Sequence, residues 1–333
     1  MLPSTTRRGF ARGLGISFLA FSASTAMPRV AVAQDFPTRP VRIIVPAAAG
    51  GALDITARLL GHYLSLDWKH QVYIENRPGA NWITGMNATA RAAPDGYTLL
   101  VMASSGATIN PFVFPQMPLD PLQDLAPVTN LAYSSLVLLA NNAVPVTTGQ
   151  EFIAHLHANP GKLNHGSNSA LTILTSELFK ARAEVNYVDV NFRGASQAIA
   201  ATIAGTTDFC FVDIGSASGP IDGKLLRPLG VTMRERNKLR PELRTIAEQG
   251  LPGFSAISMI LLLAPANLPA DLLDMINAAA QRALSQPDVI TKLQGMGQVV
   301  GGGQTPEQLR EALLAEAAQW QKLISDRNIQ FSR

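Results

Sequence analysis

Three short runs of small residues could bind an anion through the peptide backbone. Pro46 to Gly51 follows the β-rich run Val41 to Val45, Ser104-Ser105-Gly106 comes later, and Gly166 to Ser169 precedes a helical pattern in the second half. Small side chains let an anion approach the unpaired N–H groups of a helix start, where the helix dipole adds partial positive charge. One such turn could equally be a compact connection, but three turns in both halves favour a binding cleft.

Common catalytic motifs are absent from the sequence, which has no G-x-S-x-G, H-E-x-x-H, P-loop or G-x-G-x-x-G pattern. His155 and His157 lie two positions apart on a predicted helix and point in different directions, which predicts surface side chains rather than metal ligands. Cys210 lies in an apolar run and is predicted to be a buried core residue. We therefore expect no catalytic residue, no metal and no cofactor.

The elements that must position the three turns alternate between strands and helices. Strand-like runs occur at 41–45, 71–75, 97–102, 136–140, 185–190, 208–212, 225–231 and 259–263. Helical patterns occur between or after them, at 85–91, 150–158, 176–182, 196–204, 269–284 and 306–327. This alternation predicts an α/β fold whose parallel strands carry helices on both faces. Ligands bind at the carboxyl ends of the strands in such sheets, which is where the three turns are predicted to lie.

The first 33 residues are predicted to be a signal peptide. The paired Arg7 and Arg8 precede the apolar stretch Leu14 to Ala26, and Ala31-Val32-Ala33 matches a cleavage site. The apolar stretch is shorter than the roughly 20 residues of a membrane span. The sequence therefore predicts a periplasmic protein, with the twin-arginine route favoured over an ordinary secretory signal.

Removing this segment changes the charge balance. It holds four of the 27 basic residues and no acidic one, which leaves 23 basic against 24 acidic residues. A near-neutral chain without a basic stripe is not expected to bind nucleic acid. The remaining 300 or so residues suit two domains of ordinary size.

Several longer motifs resemble those of a known family. They are Phe36 to Pro46 leading into Gly50-Gly51-x-x-Asp54, then Glu75 to Ala80, Pro94 to Leu100, Asn110-Pro111, Asp124 to Val128 and Leu262 to Ala266. Their order and spacing resemble the Bug family, the substrate-binding receptors of tripartite tricarboxylate transporters. The resemblance implies an α/β, two-lobed type II periplasmic-binding-protein fold, each lobe a mixed, mainly parallel sheet flanked by helices. It places lobe 1 at 34–133 plus 252–333 and lobe 2 at 134–251.

The resemblance also implies a ligand site between the lobes. The first-lobe residues would hold one carboxylate, and they are Ala47, Ala48, Ala49, Gly50, Gly51, Asp54, Ser104 and Ser105. The second-lobe residues would hold the other polar end and close the cleft, and they are Asn168, Ser169, Ala170, Phe192, Arg193, Gly194 and Asp213. Two of these have alternatives: Arg193 could be a solvated surface residue, and Asp54 could serve only the dipole of its own helix.

The chain departs from the family pattern at several of these positions. Ala47 stands where an aromatic residue commonly follows Pro46, Ala170 replaces a frequent hydroxyl donor, and Ile173 replaces a histidine. Trp82 replaces a small residue. Because proteins leave few voids unfilled, either a bulkier acid or Trp82 is predicted to occupy the space beside Ala47.

The function implied is that of a periplasmic receptor. It would capture a small organic carboxylate and deliver it to the subunits of a tripartite tricarboxylate-type membrane transporter. The alternative is a periplasmic carboxylate sensor that passes its closed state to a signalling partner, and both interpretations use the same residues. The protein is expected to be a monomer and not an enzyme.

Overall fold

A mixed β-sheet runs through residues 36–331, which are the residues that the computed structural model describes. The predicted signal peptide lies outside them. The strands are β1 (Val41–Val45), β2 (Val72–Asn76), β3 (Thr98–Ala103), β4 (Leu125–Asn141), β5 (Asn164–Ser167), β6 (Val188–Asn191), β7 (Phe209–Asp213), β8 (Leu226–Val231), β9 (Ile257–Pro265) and β10 (Val299–Val300).

The strand order is β2-β1-β3-β9-β4-β7-β5-β6, with β8 and β10 also paired to β4. Two groups are parallel, β1 with β2 and β3, and β5 with β6 and β7. Between them, β9 and β4 are antiparallel to their neighbours. The predicted mixed α/β fold is therefore confirmed, with the parallel pairing at both ends of the sheet and antiparallel pairing in its centre.

Helices cover the sheet. They are α1 (Ala52–Trp68), α2 (Ile83–Ala90), α3 (Ser105–Thr108), α4 (Asn110–Val113), α5 (Pro121–Asp124), α6 (Gly149–Ala158), α7 (Ala170–Ala183), α8 (Ala195–Ile203), α9 (Ile214–Asp222), α10 (Ala270–Leu284), α11 (Pro287–Gly295) and α12 (Pro306–Asp326). Among residues 36–331, none of these helices combines the length and the apolar character that a membrane span requires.

Strand β1 shows how the apolar pattern fixes the layers. Ile43 and Val45 pack with Leu60 of α1 on one face, whereas Ile44 packs with Met86 of α2 on the other. All of these side chains are buried. A strand that is buried on both faces is typical of a parallel sheet between two helical layers, and this arrangement holds the turn after β1 at the edge of the sheet.

Strand β4 connects the two parallel groups and sets where their carboxyl ends lie. Ala103, the end of β3, pairs with Ile260, which pairs with Ala132 of β4. Asp213, the end of β7, pairs with Leu136 of β4. The two ends therefore point toward each other from positions four residues apart on β4, or about 13 Å at 3.3 Å per residue. The turns that follow the parallel strands face one another across this gap.

Candidate functional site

The turn after β1 is built around the buried side chain of Asp54. Its Oδ2 atom accepts hydrogen bonds from the backbone N–H of Gly50 and from Nε of Arg58, each at 2.9 Å. Its Oδ1 atom accepts one from Nδ2 of Asn76 at 3.0 Å, and the same Nδ2 also reaches the carbonyl oxygen of Ala47 at 3.1 Å. Gly50 has φ +84°, which glycine adopts without strain.

These bonds keep the Asp54 carboxylate ionised. Burial raises its pKa, but hydrogen bonds from Arg58, Gly50 and Asn76 outweigh this, so the pKa lies below its ordinary value. The side chain is 2% exposed and both of its oxygens have donors within the protein. Asp54 therefore holds the turn in shape from inside, at the first turn of α1.

The start of α1 leaves several backbone donors free. Its N-cap, Gly51, has no side chain to cap the helix. Within residues 36–331, the N–H groups of Ala52, Leu53 and Asp54 donate to no acceptor. The residues from Ala48 to Ala52 are exposed. An uncapped, accessible helix start of this kind suits an anion.

The turn after β3 places the two predicted serines differently. Ser104 has no exposed surface. Its N–H donates to the carbonyl oxygen of Met259 at 2.8 Å, and its Oγ accepts from the N–H of Met259 at 3.2 Å. The same Oγ donates to Oε1 of Glu316 at 3.4 Å. Ser104 thus attaches the turn to β9 and α12, and Ser105 is the member of the pair that keeps exposed surface.

The turn after β5 is organised by Thr172. Its Oγ1 accepts from the N–H groups of Asn168 and Ser169, both at 2.9 Å, while Oγ of Ser169 accepts from the N–H of Thr172 at 3.2 Å. This capping box leaves the next two N–H groups, of Ala170 and Leu171, without an acceptor among the described residues. The start of α7 therefore offers fewer free donors than the start of α1.

The turns after β6 and β7 carry the remaining predicted residues. Phe192 donates its N–H to the carbonyl oxygen of Ser167 at 2.8 Å, and Gly194 is the N-cap of α8 without a side-chain cap. Arg193 is exposed, and its guanidinium has no hydrogen-bond acceptor within residues 36–331. Asp213 caps α9 by accepting from the N–H and Oγ of Ser216 at 2.9 and 2.8 Å.

A buried polar cluster lies beneath the turns after β5 and β6. His165 has no exposed surface; its Nδ1–H donates to Oδ1 of Asp189 at 2.7 Å, and its Nε2 accepts from the N–H of Phe211 at 3.3 Å. Burial lowers the pKa of His165, and the neutral ring fits both bonds. Burial raises the pKa of Asp189, but bonds from His165 and Lys180 outweigh it and hold it at about 2.

Ala47 and Trp82, the two positions linked by the sequence, lie on different faces of the sheet. Ala47 packs on the α1 side with Val45. Trp82 packs on the α2 side with Met102, where a Cβ added to Gly106 would lie 3.0 Å from its ring. Trp82 therefore does not fill the space beside Ala47 in this structure.

Comparisons with known proteins agree with this architecture. The family model described as tripartite tricarboxylate transporter family receptor matches residues 56–329. The UPF0065 protein of the tcbD-tcbE intergenic region of Pseudomonas sp. (strain P51) is 34% identical over 309 residues, covering 92% of this chain and 91% of that protein. BugT of Bordetella pertussis is 28% identical and covers 92% of this chain and 94% of its own length.

Solved structures extend the similarity to the fold. A periplasmic transporter is 32% identical with a TM-score of 0.72, covering 89% of this chain and 99% of that one. Rpa4515 of R. palustris, solved with adipate, is 28% identical with a TM-score of 0.72 over the same shares. MatC of Rhodopseudomonas palustris, solved with malate, is 29% identical with a TM-score of 0.69, covering 87% and 100%. The chain thus belongs to the tripartite tricarboxylate transporter receptors of the Bug type, with the fold of periplasmic binding proteins.

Proposed function

We propose that this protein is a periplasmic receptor that captures a small organic carboxylate and delivers it to a tripartite tricarboxylate-type membrane transporter. The observation that carries the proposal is the pair of helix starts with free N–H groups, α1 and α7, that follow parallel strands facing each other across β4. Such groups bind carboxylates without a catalytic side chain. Adipate and malate in two related structures support this ligand class.

The proposed cleft lies between two lobes, residues 34–133 plus 252–333 and residues 134–251. Separate hydrophobic clusters support this division, since Val45 and Leu262 belong to one while Phe152 and Phe211 belong to another. Strand β4 crosses from the first proposed lobe into the second, and β9 of the first lobe pairs along it. Closure of the lobes would bring the two helix starts onto opposite ends of one ligand.

The residues proposed to line the cleft differ in their tasks. Ala47 to Gly51 and Ser105 would contact the ligand from the first side, and Asn168 to Ala170 from the second. Asp54, Ser104 and Asp213 would shape the turns, because their polar atoms already have partners within the protein.

Arg193 is the charged residue proposed to hold the ligand directly. Its guanidinium is exposed and its turn follows β6, next to the turn that starts α7. A charge-assisted bond to a carboxylate contributes about 1.5–3 kcal/mol, against about 0.3–1 kcal/mol for the field of a helix start. Arg193 would therefore make the largest single polar contribution in the closed state.

Mass spectrometry of the small molecules released from purified protein tests the ligand class. We expect a carboxylic acid recovered unchanged, and adipate, malate and an aromatic acid should then be ranked by calorimetry. Ala47→Phe, compared with the unmodified protein, should abolish binding of an aromatic acid and spare a short dicarboxylate. Failure of every acid to bind would overturn the proposal.

Uptake of the recovered acid by a strain that lacks this protein tests delivery. We expect uptake to fall and to recover when the protein is supplied again. Normal uptake together with a lost transcriptional response to the acid would overturn the transport role in favour of the sensor alternative.

A further inference from the structure

Glu316 of α12 carries a carboxyl group inside the protein that no cation among residues 36–331 neutralises. Its Oε1 accepts from Oγ of Ser104 and from Nε1 of Trp320, both at 3.4 Å, which is long for hydrogen bonds. Its Oε2 is buried and has no hydrogen-bond partner among residues 36–331. An ionised carboxylate in such a place would be costly, because a buried charge needs donors or an opposite charge.

The surroundings of Glu316 favour the neutral acid. Burial raises the pKa of its carboxyl group to about 7, against the lowering effect of hydrogen bonds from Trp320, Thr108 and Ser104. Helix α12 packs against α3, α5, α7, α10 and β4. Ser104 and Thr108 face the carboxyl group from the α3 side and Trp320 from its own helix, and no charged side chain of these elements acts on it.

Contacts inside the protein also connect Glu316 to two of the proposed ligand turns, those after β3 and β5. Ser104, its partner, is the first residue after β3 and the N-cap of α3. Trp320, its other partner, packs in one apolar cluster with Ile109 and Leu174, and Ala170 at the start of α7 packs against the same cluster. A carboxylate held by these turns would therefore be separated from a second carboxyl group by buried side chains, which screen charge less than water does.

The contact with Ser104 has two possible directions. An ionised Glu316 can only accept from the Ser104 hydroxyl, as in the geometry described above. A protonated Glu316 can donate its own O–H to Ser104 Oγ, which reverses the direction of this contact. Protonation thus removes a negative charge from behind the turn, while Ser104 keeps its contact with Glu316.

We propose that Glu316 is a positioning residue that couples ligand capture to the uptake of one proton, so that the receptor binds its carboxylate most tightly with Glu316 protonated. The inference rests on the proposed function. The proton comes from solvent and remains on the Glu316 carboxyl, and no covalent bond of the ligand changes. A bound anion favours the neutral form of a neighbouring acid, and by linkage the neutral form favours the anion.

Calorimetry of adipate binding from pH 5.5 to 8.5 tests the coupling. In the unmodified protein we expect a nearly constant Kd below the Glu316 pKa and a rise approaching tenfold per pH unit above it. Titrations at pH 8 in two buffers of different ionisation enthalpy should show uptake of up to one proton per ligand. Glu316→Gln should remove both the proton uptake and the rise in Kd.

Glu311→Gln is the matched control, because Glu311 is an exposed carboxylate on the same helix. This variant should keep the pH dependence of the unmodified protein. A flat Kd and no proton uptake in the unmodified protein would overturn the coupling, whether or not Glu316→Gln folds. An unchanged pH profile in folded Glu316→Gln would assign the proton to another group and overturn it too. If neither adipate nor the acid recovered from the protein binds at any pH, the proposed function fails first and the coupling with it.

Discussion

Replacing Asp54 by asparagine separates a residue that shapes the turn from one that contacts the ligand. If the Asp54 carboxylate faced a bound acid, removing its negative charge would relieve repulsion and tighten binding. If it holds the turn, as its bonds to Gly50 and Asn76 indicate, the same change should weaken binding. The two roles therefore predict opposite signs for the change in Kd.

The size of the effect follows from the three donors that surround the carboxylate. An asparagine Nδ2 cannot accept a hydrogen bond. In the less costly orientation, the new Nδ2 at position 54 faces Nδ2 of Asn76, and the hydrogen bond between the two side chains is lost. Asn76 also donates to the carbonyl oxygen of Ala47, so this loss affects the turn. A bond to a charged group contributes about 1.5–3 kcal/mol. We expect the free energy of unfolding to fall by about 2 kcal/mol. Loss of about 1.4 kcal/mol of that amount from the order of the ligand turn would raise Kd for the bound acid by roughly tenfold.

Urea unfolding and calorimetry measure the two quantities, and two variants serve as controls. Asp67→Asn makes the same change near the other end of α1 and should leave Kd unchanged. Arg58→Gln removes the ion-pair partner of Asp54, and the Arg58 side chain is 52% exposed. Because exposed ion pairs contribute little to stability, Kd of this variant should change by less than about threefold. Tighter or equal binding by folded Asp54→Asn would refute the role assigned to this carboxylate.

Four other changes test separate parts of the molecule. Gly51→Val should raise Kd by at least tenfold and leave the melting temperature nearly unchanged, since φ is −80° and an added Cβ would lie 3.8 Å from the Ala48 oxygen; unaltered calorimetry would remove this turn from the site. Arg193→Ala should weaken binding by a factor of ten or more without changing stability, because its guanidinium has no acceptor within residues 36–331; wild-type affinity would assign it to the solvated surface. The Arg7→Lys, Arg8→Lys double variant should retain its precursor in the cytoplasm, and a normal periplasmic yield would contradict the twin-arginine route. As the pH falls below 6.5, the free energy of unfolding should fall by about 1.4 kcal/mol per pH unit. The cause is His165, because burial lowers its pKa in the folded state and not in the unfolded state. Protonation of Glu316 has the opposite effect and raises the free energy of unfolding as the pH falls from 7 to 4.5. The slope from His165 should therefore be measured by urea unfolding of Glu316→Gln. A free energy of unfolding that does not change with pH in this variant would contradict a neutral buried histidine.

Much of the fold could be predicted because the apolar runs coincide with strands. The predicted run 41–45 matches β1, and the predicted helix 306–327 matches α12 to within one residue. The first half of β4 was not predicted as a strand, because Pro127 and Asn130 are unfavourable in strands. The structure accommodates both at irregularities in the pairing with β9. Strand β5 was missed because Asn164 to Ser167 contains no β-branched residue.

The candidate site was predictable in its turns and less so in the residues that hold them. Short runs of small residues indicate a turn from local sequence alone. The contacts of Asp54 with Asn76 and of Ser104 with Glu316 join residues 22 and 212 positions apart, so no local pattern indicates them. Thr172 is closer to its turn, and the spacing of a capping box from Ser169 could have identified its role.

The pairing of β3 with β9 has a consequence for how the chain folds. Leu100 pairs with Leu263, and Ser104 finds its backbone partner in Met259, so these contacts span about half of the sequence. Contacts of such separation slow folding, and during synthesis they leave the edge of β3 open to other chains. A fragment that ends before residue 257 should therefore aggregate. Although Ser104 is synthesised in the first third of the chain, its turn can take its final shape only after the last quarter has begun to emerge.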